Sequence, residues 1–272
     1  MSRTAVQAES TRTGGGNRWV ILVCAVLVQL AIGSVYAWSV FAKALQSDAA
    51  FGWSKSKAAV PFSVVIGMIF IGSYVGGRIQ DARGPRTVAM TGGIIYAVGV
   101  ILASFASTAD SFWLLVLGYG VIGGFGLGMV YIVPIAMLQK WFPDKPGLIT
   151  GLAVAGFGFG AVVTAPVGQA LIDQSPHVPT KAFLWLGIGY LVILLVCTSV
   201  FRNPAVVPDI TATAADRAHT TGAAAPADSR AVTQEDRAAA PASTPASRDF
   251  TPSEAMHTVQ WYLLTAILTM SV

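Results

Sequence analysis

Charged residues are scarce in this sequence, and two long stretches have none. Asp, Glu, Lys and Arg together make up 11% of the chain, whereas hydrophobic residues make up 54%. Residues 60–76 and 87–109 contain no Asp, Glu, Lys or Arg at all. Soluble domains carry about 25% charged residues, and a mean hydropathy of +0.64 is too high for such a domain. The composition therefore excludes a soluble protein and predicts an integral membrane protein.

Residues that carry catalysis or bind metals are also rare. Cys24 and Cys197 lie in separate apolar runs without a C-x-x-C spacing, so neither a disulfide nor a metal site is indicated. His177, His219 and His257 occur singly, without metal-ligand spacing. The apolar runs hold no paired carboxylates and no Cys/His pair, and no carboxylate for proton coupling. We therefore expect a protein that is not an enzyme, with no cofactor and no metal.

The distribution of basic residues predicts topology. In a soluble chain a net charge of +4 and a pI near 9.2 would suggest nucleic-acid binding. Here the basic residues lie in short polar segments beside apolar runs, so the lipid bilayer is the expected partner and nucleic acid is not. Of the 17 Lys and Arg residues, all but Lys43, Lys55, Lys57 and Lys181 fall on one side of the alternating spans. The positive-inside rule places that side, with the N-terminus, in the cytosol.

Six apolar runs are long enough to cross a bilayer as helices, because about 20 residues rising 1.5 Å each span the hydrocarbon. The predicted fold class is an all-α membrane protein with a six-helix transmembrane bundle and part of a seventh helix. The expected spans are residues 19–42, 60–76, 87–109, 112–138, 147–171 and 182–201.

Polar segments divide the chain into domains. Residues 1–18 are predicted to be a disordered cytosolic tail, 19–201 a transmembrane domain and 202–250 a disordered cytosolic linker rich in Ala, Pro, Thr, Asp and Arg. Residues 251–272 are expected to start a seventh transmembrane helix. Its apolar part, 259–272, is shorter than the roughly 20 residues that a span needs. We interpret the chain as a fragment of a longer protein or the product of a broken reading frame.

The polar segment 77–86 reads G-R-I-Q-D-A-R-G-P-R, and we expect a tight turn outside the bilayer. Gly84 allows a positive φ there, and Pro85 fixes its own φ. The segment resembles the signature loop between the second and third helices of the major facilitator superfamily, G-x-x-x-D-x-x-G-x-R/K. The resemblance implies that the Asp helps to hold one state of an alternating-access cycle, as fits a carboxylate at a helix N-terminus. The alternative is a turn that serves topology alone. The matching residues are Gly77, Asp81, Gly84 and Arg86, with Arg83 as a further basic residue.

Other segments resemble the oxalate/formate antiporter family in particular. The most distinctive is the W-F-P-D-K run at residues 141–145, which precedes a glycine-rich helix. The resemblance implies a twelve-helix facilitator fold of two six-helix halves around a central site. This chain would supply the N-terminal half, and a missing C-terminal half would be its partner. The matching segments are residues 17–19, 33–39, 126–131, 140–148 and 250–254.

Polar and aromatic residues within the spans are candidates for a substrate path. Gln29, Gly33 and Tyr36 follow at spacings of four and three, on one face of the first helix. A Gln and a Tyr in hydrocarbon need polar partners, which a solvated central cavity would provide. The resemblance implies that Tyr36 and Tyr131 line a carboxylate site. The predicted substrate-path residues are Gln29, Tyr36, Trp38, Tyr131 and Phe157.

Two positions differ from the oxalate-selective members of that family. Val35 stands where those members carry Gln, and Phe157 where they carry Tyr. Both changes remove hydrogen-bond donors for a carboxylate, so a less polar monocarboxylate such as formate or lactate becomes an alternative to oxalate.

Glycines of the fourth apolar run indicate close packing. Gly120, Gly124 and Gly128 recur at every fourth position, which favours close approach of a neighbouring helix. The G-x-G-x-x-G pattern at residues 118–123 lies inside an apolar span without a preceding strand, so it does not predict a dinucleotide site.

Together these features predict a secondary transporter that moves a small carboxylate anion of the formate, oxalate or lactate class by alternating access and exchange. The expected location is a bacterial inner (plasma) membrane, with several membrane crossings. Two alternatives remain. One is a membrane sensor or scaffold that acts through the cytosolic linker, and the other is a half-transporter that dimerises.

Overall fold

Six long helices account for most of the described chain. The computed structural model describes residues 18–204, Thr258 and Tyr262. Among these residues there is no strand, and each long helix has the length and composition to cross a membrane. The predicted fold class is therefore confirmed. The helices are α1 (Arg18–Gln46), α2 (Lys55–Arg83), α3 (Pro85–Ala103), α4 (Phe112–Trp141), α5 (Pro146–Asp173) and α6 (Pro179–Ser199).

The chain divides into two compact units, residues 1–208 and 209–272, and all six helices belong to the first. Residues 1–17 and 205–250 lie outside the described residues, so the tail and linker stay predictions. The start of the seventh helix, 251–272, also lies outside them, apart from Thr258 and Tyr262.

The turn between α2 and α3 is shorter than the sequence predicts. α2 continues through Arg83 and α3 starts at Pro85, so only Gly84 separates the two helices. Gly84 has a φ of +82°, and its N–H donates to the carbonyl of Gln80 at 2.8 Å. Asp81 consequently lies near the C-terminal end of α2, and its expected position at a helix N-terminus is wrong.

α4 contains a π-helical segment over Val116–Gly123, with α-helix before and after it. Such segments are rare and are seldom longer than one turn. The G-x-G-x-x-G pattern at residues 118–123 falls within this segment, inside a membrane-length helix, and the described residues contain no strand that could precede it.

Glycines of α4 allow α2 to approach closely. A Cβ on Gly124 would lie 2.9 Å from the Cα of Val65, and one on Gly128 would lie 2.9 Å from the Cα of Ile69. Gly120 faces the same helix. Real Cβ atoms do not approach a backbone this closely, so the predicted packing role of these glycines is confirmed.

Basic residues collect at the end of the bundle where α1 starts and α4 and α6 end. Trp141, at the end of α4, donates from Nε1 to the carbonyl of Arg202 beyond α6, at 2.8 Å. The ring of Trp19, at the start of α1, lies 5.8 Å from that of Phe142. We call this end the basic end. Among the described residues it carries Arg18, Arg78, Arg83, Arg86, Lys140, Lys145 and Arg202, with Asp81 and Asp144.

Candidate functional site

α1 and α5 cross with their backbones in contact. A Cβ on Gly33 would overlap the carbonyl oxygen of Phe157, and a Cβ on Gly160 would lie 2.5 Å from the carbonyl oxygen of Leu30. Directly after Gly33, α1 tightens into a 3₁₀ turn over Ser34–Ala37. The absence of a side chain at both glycines thus places this turn against the middle of α5.

Three of the predicted substrate-path residues meet at this crossing. The ring of Phe157 on α5 lies 5.3 Å from that of Tyr36 on α1 and 4.9 Å from that of Tyr131 on α4. Both pairs pack edge to face, at 74° and 65°, a favoured geometry for aromatic rings. Phe157 is buried, whereas Tyr36 is 48% exposed. This aromatic cluster therefore opens to the surface of the described bundle on the Tyr36 side.

Gln29 lies beside the aromatic cluster and is fully buried. Its Nε2 donates to the main-chain carbonyl of Tyr131 at 3.5 Å, and its Oε1 has no hydrogen-bond partner within the described residues. A buried acceptor without a donor costs about 1–3 kcal/mol. The oxygen is therefore a place where a bound solute or a water molecule would be stabilised.

Trp38 packs in a different cluster. Its Nε1 donates to the carbonyl of Ala58 at 3.0 Å. Its ring stacks on that of Tyr119 at 4.7 Å and is parallel to that of Phe183 at 6.3 Å. The structure thus brings Gln29, Tyr36, Tyr131 and Phe157 together and leaves Trp38 among other aromatic rings, where its role in a substrate path stays a prediction.

Two buried hydroxyl pairs were missed by sequence reasoning. Ser34 on α1 and Tyr96 on α3 are joined through their hydroxyls at 2.8 Å. Thr164 on α5 and Tyr190 on α6 are joined at 3.4 Å, and the two tyrosine rings stack at 5.6 Å. Ser34 lies two residues before Tyr36 in the matched motif, and a Tyr within an apolar span was the available signal.

The signature-loop residues lie at the basic end. Asp81, Arg83 and Arg86 are exposed, and Asp81 makes no hydrogen bond or ion pair within the described part of the chain. Arg83 and Arg86 line a cavity of about 600 Å³ together with Arg202. The role of Asp81 in a conformational cycle therefore stays a prediction.

The central crossing offers polar groups but no charge. Tyr36 and Tyr131 can each donate a hydroxyl hydrogen, and Gln29 can accept through Oε1. No group of His, Cys, Asp and Glu residues among those described could hold a metal ion. These groups can bind and orient a small polar solute, but they do not form a nucleophile and base pair. An anion at this place would need its counter-charge from elsewhere.

A multi-pass helical bundle with uncharged polar groups at a helix crossing is consistent with a membrane transporter. The model of the Major Facilitator Superfamily matches residues 18–272. The chain therefore belongs to the Major Facilitator Superfamily and is an integral, multi-pass membrane protein.

Curated relatives of the chain are transporters. The oxalate:formate antiporter of Oxalobacter formigenes is 31% identical over 191 residues, which cover 70% of this chain and 44% of the antiporter. The MFS-type transporter YhjX of Escherichia coli is 30% identical over 181 residues, or 66% of this chain and 44% of YhjX. Rat monocarboxylate transporter 13 is 30% identical over 182 residues, or 66% of this chain and 40% of that protein. The chain thus spans less than half the length of these relatives.

A solved structure supports the fold. The inward-open xylose transporter XylE from E. coli aligns with a TM-score of 0.57 at 16% identity, over 76% of this chain and 56% of XylE. At this identity the similarity concerns the fold alone.

Proposed function

We propose that the protein is a secondary transporter that exchanges small carboxylate anions by alternating access. The observation that carries this proposal is the meeting of Tyr36, Tyr131 and Phe157 at the crossing of α1, α4 and α5. Relatives named for oxalate, formate and monocarboxylates support a carboxylate as the cargo. Two hydroxyl donors suit a carboxylate, whose oxygens accept hydrogen bonds.

The composition of the aromatic cluster favours a small monocarboxylate such as formate or lactate. Phe157 contributes a ring without a hydroxyl, and Val35 is buried and apolar. A site built to bind a polar group rejects analogues that lack it, and a site with fewer donors binds a dianion less well. Gln29 adds the acceptor Oε1, to which the hydroxyl of lactate can donate a hydrogen bond.

The counter-charge for the anion is proposed to come from a second six-helix half. The predicted apolar spans within α1–α6 contain no Lys or Arg, and desolvating an anion without a cation is costly. Alternating access would then consist of rocking of the two halves around the central site. We propose a bacterial inner membrane as the location, with the basic end of the bundle and the N-terminus in the cytosol.

The test is transport in proteoliposomes reconstituted with the purified protein together with the proposed second six-helix half. Uptake of labelled formate, lactate and oxalate is measured with and without unlabelled carboxylate inside. Exchange predicts uptake that depends on the internal anion and is faster for formate or lactate than for oxalate. An uptake rate that does not depend on internal carboxylate would overturn the exchange mechanism. The absence of saturable uptake of all three anions would overturn the assignment of a carboxylate as the cargo.

A pair of tyrosine variants links transport to the site. Tyr131→Phe removes one hydroxyl donor and is expected to slow exchange about tenfold. Tyr74→Phe removes a hydroxyl from an exposed ring on α2 and should leave exchange unchanged. Equal rates for the two variants would contradict a role for Tyr131.

A further inference from the structure

A polar chamber lies where α3 and α5 end and α6 begins, away from the aromatic cluster. Its volume is about 390 Å³. Ser104 and Ser107 follow α3, Gln174 and Ser175 follow α5, and Lys181 lies in the first turn of α6. The lining residues include one cation and several hydroxyl or amide groups, and none of them is Asp or Glu. The chamber therefore suits an anionic group that also carries hydrogen-bonding hydroxyls.

An apolar groove of similar volume, about 390 Å³, continues from this chamber along α5 and α6. Leu171 and Trp185 line both cavities, so the groove begins where the chamber ends. On each helix the groove extends over nine residues, whose eight steps of 1.5 Å correspond to about 12 Å. The lining at matched positions is Val163, Val167 and Leu171 on α5, and Trp185, Gly189 and Ile193 on α6.

Gly189 keeps the groove open. A Cβ built on Gly189 meets no heavy atom within 4 Å, whereas a larger side chain there would extend into the groove. Trp185, at the junction of the two cavities, is 64% exposed. Trp residues favour the boundary between headgroups and hydrocarbon, so the junction lies at the depth where a lipid changes from polar to apolar.

We propose that the chamber and the groove together bind an anionic phospholipid of the phosphatidylglycerol type. The phosphodiester pairs with the Lys181 ammonium, the headgroup hydroxyls bind the serine and glutamine side chains of the chamber, and an acyl chain fills the groove. Phosphatidylethanolamine fits less well, because its ammonium group would face Lys181 in a chamber lined by no carboxylate. A free anion would use the chamber but would leave the groove unfilled.

The experiment counts retained lipids by native mass spectrometry of the purified 272-residue chain in detergent. The chain is titrated with phosphatidylglycerol, with phosphatidylethanolamine and with water-soluble glycerophosphoglycerol, which has the headgroup without acyl chains. We expect preferential retention of phosphatidylglycerol. Gly189→Leu should weaken that retention by about tenfold, because the new side chain occupies the space of several methylenes.

The control is Gly158→Leu. Gly158 lies on an exposed face of α5, outside both cavities, and its Cβ would also meet no atom within 4 Å. This variant should retain phosphatidylglycerol as the parent chain does. Lys181 is exposed, so Lys181→Gln tests the headgroup without disturbing the fold. It should reduce the preference for phosphatidylglycerol over phosphatidylethanolamine by about fivefold, and Lys181→Arg should preserve it.

Three results would overturn the proposal. Equal retention of phosphatidylglycerol by Gly189→Leu and Gly158→Leu would show that no acyl chain lies in the groove. Competition by glycerophosphoglycerol as strong as that by the intact lipid would identify a site for soluble anions. A dimer in the parent spectra that Gly189→Leu abolishes would identify the groove as an interface between two copies of the chain.

Discussion

Gln29 of α1 donates from Nε2 to the main-chain carbonyl of Tyr131 on α4, across 3.5 Å. The bond is long and therefore weak, yet it fixes how the amide is oriented. Turning the amide over would set Oε1 against the carbonyl oxygen, two acceptors facing each other. Oε1 thus stays a buried acceptor without a partner in the described chain, on a side chain that contacts the main chain of a proposed substrate-path tyrosine.

Gln29→Leu should raise the stability of the protein and lower its transport of lactate. Because the change removes a buried acceptor without a donor, we expect the free energy of unfolding to rise by about 1 kcal/mol, measured by thermal unfolding in detergent. Lactate exchange should fall, because the hydroxyl of the substrate loses its acceptor. Gln139→Leu at the exposed end of α4 is the control and should leave exchange unchanged. Unaltered lactate exchange in Gln29→Leu would remove Gln29 from the substrate path.

Phe157→Tyr should shift selectivity toward oxalate. The added hydroxyl lies between α1 and α4, beside Tyr36 and Tyr131, and supplies a further donor to a dicarboxylate. We expect the ratio of oxalate to formate exchange to rise about tenfold, measured by competition in proteoliposomes. Phe159→Tyr adds the same hydroxyl to an exposed ring of α5 and should leave the ratio as it is. An unchanged ratio in Phe157→Tyr would show that position 157 does not contact the substrate.

Gly84→Ala should destabilise the bundle, whereas Gly77→Ala should not. Gly84 has φ +82° and ψ 168°, a backbone region that residues other than glycine rarely adopt. Alanine there should lower the free energy of unfolding by about 1–3 kcal/mol. Gly77 lies within α2, and a Cβ there meets no atom within 4 Å, so alanine at position 77 should raise the free energy of unfolding by about 0.5–1 kcal/mol. Thermal unfolding of both variants checks the signs. Similar stabilities would mean that the turn relaxes to another conformation.

The six helices could be predicted because hydrocarbon tolerates little besides long apolar helices. The C-terminal end of α2 could not be predicted, because the charged segment 77–86 has the composition of a loop although α2 continues through Arg83. The sequence analysis groups Trp38 with Tyr36 because both residues lie in one motif. Residues two apart on a helix do not share a face, so the spacing of these two residues already indicates that their side chains pack in different places.

Contacts between distant segments were beyond sequence reasoning. The hydroxyl pair of Ser34 and Tyr96 joins residues that are 62 positions apart, and no local pattern identifies such a pair. The π-helical segment Val116–Gly123 also has no sequence signature, since its glycines fit an ordinary packing face equally well. In contrast, the contact of Tyr36, Tyr131 and Phe157 joins residues that the family motifs had already singled out.

Gly33→Ala tests whether the crossing of α1 and α5 builds the site. A Cβ at Gly33 would overlap the backbone of Phe157, and main chain yields less easily than a side chain, so overpacking should cost about 3 kcal/mol. If α1 and α5 move apart to relieve the overlap, the rings of Tyr36 and Phe157 separate and carboxylate exchange falls together with the unfolding temperature.

Gly151→Ala is the matched control, because that glycine lies on an exposed part of α5 with no atom within 4 Å of a built Cβ. Alanine at position 151 should stabilise the helix by about 0.5–1 kcal/mol and leave exchange intact. A Gly33→Ala protein that unfolds and exchanges like the parent would show that the two helices need not touch for the aromatic cluster to form.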